Sequence, residues 1–193
     1  MREKSNKIAR YIFNNDSNEE KIELYGFAIY IVNSSLLHIG TLLVIGWLFG
    51  MVVESVIFYV SFIAIRKFAG GYHAMTPLRC YLFSTITIFI SLLLLQQLSN
   101  FSKAITYVFI LIELISIICI IVLSPLDSGN KPISNKKEKK VYKIISSINS
   151  ITLFLVSLCM LNLNEQYGLS IMLGLFLSAA VLLMRATQIK NHN

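Results

Sequence analysis

RKFAGGYHAMTPLRC, residues 66–80, is a polar break between two long apolar runs, and its reading decides the fold. The run before it is apolar as far as Ile65, and the next opens near Leu82. Within the break stand three cations (Arg66, Lys67 and Arg79), the adjacent Gly70 and Gly71, His73 and Cys80. A thiol and an imidazole seven positions apart, beside fixed positive charge, are the minimum equipment for a nucleophile and its base.

Working outward, the whole chain has the composition of a membrane protein. Of its 193 residues 55% are hydrophobic and only 14% charged, with a mean hydropathy of +0.68. Soluble chains run nearer 45–50% apolar and about 25% charged. The length suits one integral membrane domain over residues 1–193. Cys80, Cys119 and Cys159 cannot all pair and show no CxxC spacing, which argues against a disulfide framework and a zinc site. No metal and no cofactor is expected. The net charge of +7 could suggest nucleic acid, but in so apolar a chain membrane orientation explains it better.

Six apolar segments stand out, roughly 27–49, 51–69, 82–98, 104–124, 142–163 and 169–184. A bilayer core of about 30 Å needs about 20 helical residues. The expected fold is therefore all-α, a polytopic bundle of six transmembrane helices. Segments 82–98 and 169–184 are near the lower limit, and a four-span version with short segments in the interface is the alternative. Arg66 and Lys67 at the end of 51–69 can snorkel to the interface. Residues 1–26 form a polar cytoplasmic or interfacial lead, unlike a cleavable signal sequence. Within it Ile8, Tyr11 and Ile12 fall at i, i+3 and i+4, which reads as a short interfacial amphipathic helix. A solvated tail is the competing reading.

Charge sets the expected topology. With the N-terminus inside and six spans, all of the Lys and Arg residues except Lys103 fall on the cytoplasmic side. The positive-inside bias predicts such a split. Both termini, His73 and Cys80 are then cytoplasmic.

Thr76-Pro77 makes a good helix start, threonine as N-cap and proline at the first helical position. Cys80 then falls in the first turn of the third span, where the helix dipole and Arg79 favour thiolate. Gly70-Gly71 ends the second span and allows positive φ, so the intervening residues can fold His73 back towards the sulfur. The plainer reading makes Cys80 a buried membrane thiol and His73 an interfacial anchor. The clustering of Gly-Gly, His, Thr-Pro, Arg and Cys in one short loop favours chemistry.

The segment RKFAGGYHAMTPLRC resembles the signature of the AgrB family, membrane peptidases of Gram-positive quorum sensing. The second cytoplasmic loop, SPLDSGNKPISNKKEKK, is similar to its counterpart there, and length, spans and loop order fit over most of the chain. The resemblance implies a cysteine endopeptidase with Cys80 as nucleophile and His73 as general base. It implies an AgrD-like propeptide as substrate, loss of its charged C-terminal tail, and closure to a thiolactone, or a lactone where serine supplies the ring atom. It also suggests a homodimer at the cell membrane.

Supporting residues are less marked. Arg66, Lys67, Gly70, Gly71, Arg79, Lys136 and Lys137 are candidates for substrate contact or support. The run Lys136-Lys137-Glu138-Lys139-Lys140 serves orientation and attraction to anionic lipid, and can add capture of an acidic substrate tail. Asp127 could orient His73, though a turn or cap role within residues 124–129 is the simpler account. His38 and Glu113 reach similar depth in their spans, which supports an alternative function, a small proton-coupled transporter. Interhelical glue is the plainer role for both, with Asn33 and Asn149 acting likewise. Glu54 reads as interfacial, and Cys119 and Cys159 as small apolar fillers.

Overall fold

The computed structural model describes residues 2–12, 19–71, 77–98, 103–126 and 135–192. His73 and Asp127 lie outside the described residues, as does the expected N-cap Thr76. Among the described residues seven helices follow one another: α1 (Arg2–Ile12), α2 (Glu19–Leu48), α3 (Val52–Ala69), α4 (Pro77–Leu98), α5 (Lys103–Leu123), α6 (Lys136–Leu163) and α7 (Glu165–His192). The all-α membrane bundle expected from composition is what the chain forms. Five helices (α2 and α4 to α7) are long and apolar enough to cross a bilayer. At 18 residues, α3 carries Glu54, Arg66 and Lys67, so its own composition does not qualify it as a sixth span.

Several helices outrun their apolar segments. Helix α2 begins at Glu19, not near residue 27, because Glu19, Glu20, Lys21 and Glu23 are helix formers and early acids suit the dipole. Helix α7 has 28 residues and is not a short span. Hydropathy stops at Arg185, whereas the helix continues to His192. The basic run is helical too, a correction to the loop reading. Asn135 caps α6, its side-chain oxygen accepting from the Lys137 N–H at 3.0 Å, so Lys136, Lys137, Lys139 and Lys140 form the first turns.

The chain divides into two units inside α2, at Val44. In the first, α1 buries Ser5 and Ala9, four residues apart, and leaves Ile8, Tyr11 and Ile12 exposed. Asn6 packs where a side chain on Gly26 would stand.

In the second unit α7 is the central helix. Of its apolar stretch 67% is buried, against 11–22% for the other candidate spans. Small residues allow this. A Cβ on Gly174 would lie 2.8 Å from the Phe58 carbonyl oxygen and 2.9 Å from Ser61 Cβ, so α3 and α7 touch backbone to backbone. Ile65 and Ala69 of α3, Ile117 and Ile120 of α5, and Ile171, Leu175 and Leu182 of α7 form the shared core.

Contacts along the helices fix their directions. Gly174 meets Phe58, and the Ser178 hydroxyl reaches the Phe62 carbonyl at 3.3 Å, so α3 and α7 run parallel. Ser157 pairs with Glu113 and Ser146 with Ser124, so α5 and α6 run antiparallel. The Asn149 amide donates to the Ala64 carbonyl at 3.1 Å and Tyr142 faces Phe68, so α6 is antiparallel to α3 as well. Alternating directions are what successive crossings require.

Candidate functional site

These directions gather one end of each helix. The C-termini of α3 and α5, the N-terminus of α6 and the Val181 level of α7 meet there. Arg66, Lys67, the lysines of α6's first turns and Arg185 mark it as the basic end. Helix packing thus assembles cations that the chain scatters over 120 positions between Arg66 and Arg185.

Cys80 enters this end from α4. The helix begins at Pro77, where a missing N–H leaves no intrahelical bond unmade. Cys80 completes its first turn as a free, half-buried thiol. The Arg66 guanidinium is close enough to Cys80 and Tyr59 for direct charge interaction. Arg66 also lies 5.4 Å from the centroid of the Phe62 ring, and its neighbour Lys67 is 5.7 Å from that of Phe68. The structure therefore brings Arg66 and Cys80 together from either side of the break. Arg79, Lys136 and Lys137 are exposed.

Gly70 and Gly71 take the positive φ expected of them, +80° and +138°. What the sequence reading misses is their partner. The Leu126 N–H donates to the Ala69 carbonyl at 3.0 Å, and Gly70 and Leu126 form a parallel bridge. No side-chain pattern signals such a main-chain contact. The Phe62–Arg66 pairing, by contrast, was available from its i, i+4 spacing.

Of the residues singled out inside the spans, Glu113, Asn149 and Cys119 pack between helices. Glu113 is 1% exposed, and its carboxyl oxygens lie 3.2 and 3.3 Å from the Ser157 hydroxyl. Asn149 ties α6 to α3 as expected. Asn33 is exposed on α2. Cys119 packs against the core. Cys159 is exposed on α6 and fills no gap.

Fold and site together define a multi-pass helical membrane protein with a free thiol at a basic helix end. The family model for accessory gene regulator B matches residues 5–183, and the chain belongs to that family. An AgrB-like protein of Clostridium perfringens (strain SM101 / Type A) is 31% identical over 185 residues, spanning 92% of this chain and 86% of the relative. An accessory gene regulator protein B of Staphylococcus aureus (strain MW2) is 32% identical over 151 residues, 76% of this chain and 75% of that protein. No solved structure matches the chain. Membership in the family implies a quorum-sensing role.

Proposed function

We propose that the chain is a membrane cysteine endopeptidase that removes the C-terminal tail of an AgrD-like propeptide and promotes closure of the signal peptide into a ring. The observation that carries this reading is Cys80 in the first turn of α4, within the field of Arg66 at the basic end. A thiol suits covalent acyl transfer because the intermediate it forms is an activated thioester. The basic end faces the cytoplasm, both chain termini lie on that side, and α1 rests on the membrane surface through Ile8, Tyr11 and Ile12.

Chemistry follows from the thiol. The Cys80 thiolate attacks the scissile carbonyl and forms a C–S bond; the C–N bond breaks as His73 delivers a proton to the leaving amine of the tail. The acyl-enzyme is a thioester. When the peptide's own thiol attacks it, one thioester replaces another, the ring closes and Cys80 is released. Water attack would yield a linear acid, so the site must hold the peptide thiol close and keep water out. Where serine supplies the ring atom, the product is a lactone. Main-chain N–H groups at the start of α4 are suited to the developing oxyanion.

Supporting roles follow from position. Arg66 and Arg79 balance charge near Cys80. Lys67, Lys136 and Lys137 receive the acidic tail of the propeptide and anionic headgroups. Asp127 is the acidic candidate for orienting His73, with a turn or cap role as the simpler account.

The test is cleavage of a candidate propeptide by purified protein in lipid vesicles. Wild type should release the tail, and Cys80→Ala and His73→Ala should not. Cleavage retained by Cys80→Ala would end the assignment.

A further inference from the structure

The start of the second loop at the basic end is held on two sides. The buried Ser124 hydroxyl lies 2.7 Å from that of Ser146, which fixes the end of α5 to α6. Two residues later the Leu126 N–H binds the Ala69 carbonyl at 3.0 Å, and the Gly70–Leu126 bridge fixes the same segment to the end of α3. Neither glycine there has room to spare. A Cβ on Gly70 would run into the Leu126 carbonyl oxygen, and one on Gly71 would lie 3.1 Å from Val181 Cγ1.

This clamp lies just upstream of the chemistry. His73 is two residues beyond Gly71 in the sequence. The other end of its tether is Pro77, which opens the turn that carries Cys80. The relative position of base and nucleophile depends on where both ends of that tether are held.

We propose that Leu126 is a positioning residue: its main-chain N–H, bridged to the end of α3, sets the point from which His73 is delivered to Cys80. The inference rests on the endopeptidase reading. It assigns a catalytic contribution to a residue whose side chain need not touch substrate. It also makes the two basic-end loops one unit, so a change at the start of the second loop is felt by the first. The Ala69 carbonyl is a helix-end acceptor, which water can satisfy when the clamp is lost. Misplacement of a reacting group by about 1 Å can cost on the order of 100-fold in rate. Loss of the clamp should therefore slow chemistry more than it loosens the bundle.

Three full-length variants in lipid vesicles separate the possibilities. Leu126→Pro removes the N–H, Gly70→Ala drives the two bridged segments apart, and Leu126→Ala trims the side chain while keeping the N–H. Turnover at saturating propeptide, KM, alkylation of Cys80 at neutral pH, and melting temperature are measured for each. Leu126→Pro and Gly70→Ala should lose about 30- to 100-fold in kcat, with KM within about twofold and rates taken on folded protein below each melting point. Leu126→Ala should stay within about threefold of wild type. Wild-type kcat in Leu126→Pro, a loss in Leu126→Ala equal to that in Leu126→Pro, or a rise in KM with kcat kept would each overturn the proposal. If Cys80→Ala still cleaves, the underlying endopeptidase reading fails; if Cys80→Ala is inactive and Leu126→Pro is fully active, only the positioning role fails.

Discussion

Two polar regions of the molecule differ in what surrounds them. At the basic end, Cys80 is half-buried in the first turn of a helix, and Arg66 interacts with it electrostatically. In the middle of the bundle, Glu113 is sealed between helices with the Ser157 hydroxyl on both of its oxygens. The first combines a free thiol with a half-buried cation at the end of a neighbouring helix. The second is a short hydrogen-bonded contact on α5 and α6, whose facing stretches, 144–163 on α6 and 104–112 and 114–123 on α5, carry no other Asp, Glu, His, Lys or Arg. Burial and titratability alone do not make a site; access and an assembled set of partners do.

The comparison breaks most visibly through the thiol. Cys80→Ala should lower propeptide cleavage by more than about a thousandfold, since Cys80 is the only thiol in α4. Cys80→Ser should lose most activity too, because its acyl-enzyme is an ester from which a thiolactone is harder to form. Next comes the charge. Arg66→Gln should slow cleavage by about tenfold, the scale of one charged contact to the substrate. Equal cleavage rates in wild type and variant would remove Arg66 from the account.

Smaller effects belong to the bundle. Gly174→Val must push α3 from α7, because its Cβ would fall within 2.9 Å of both the Phe58 carbonyl and Ser61. It should cost about 1–3 kcal/mol, read as a lower melting temperature in vesicles, with cleavage by folded protein little changed. The smallest change is expected from Glu113→Gln, whose amide still meets Ser157. Stability should move by about 0.6 kcal/mol or less, and cleavage should be unaffected. A strong loss of cleavage there would erase the distinction between the two regions.

Much of this was legible in the sequence for identifiable reasons. Apolar runs longer than a bilayer crossing mark helices whatever their neighbours do, and Thr76-Pro77 and Gly70-Gly71 mark where chain direction changes. Charge asymmetry already pointed to one basic end. Other features depend on packing and leave little local trace. The central place of α7 comes from small residues at Gly174, Ser178 and Ala179, yet its hydropathy of 2.1 equals that of α6, which is mostly exposed. Helix ends were misjudged where charge was taken for loop: Lys136 to Lys140 are helical because Asn135 caps them. The Leu126–Ala69 bond joins main-chain atoms 57 positions apart, and side-chain identity carries no record of it.

The central claim is that Cys80 carries the acyl group. Incubating the wild-type protein in vesicles with a candidate propeptide lacking the ring-closing thiol or hydroxyl, quenching in acid and mapping the product by mass tests it most directly. The account predicts a hydroxylamine-labile acyl adduct on the peptide containing Cys80, absent from Cys80→Ala and strongly reduced in His73→Ala. Tail release without an adduct at Cys80, or an adduct on Cys119 or Cys159, would contradict it.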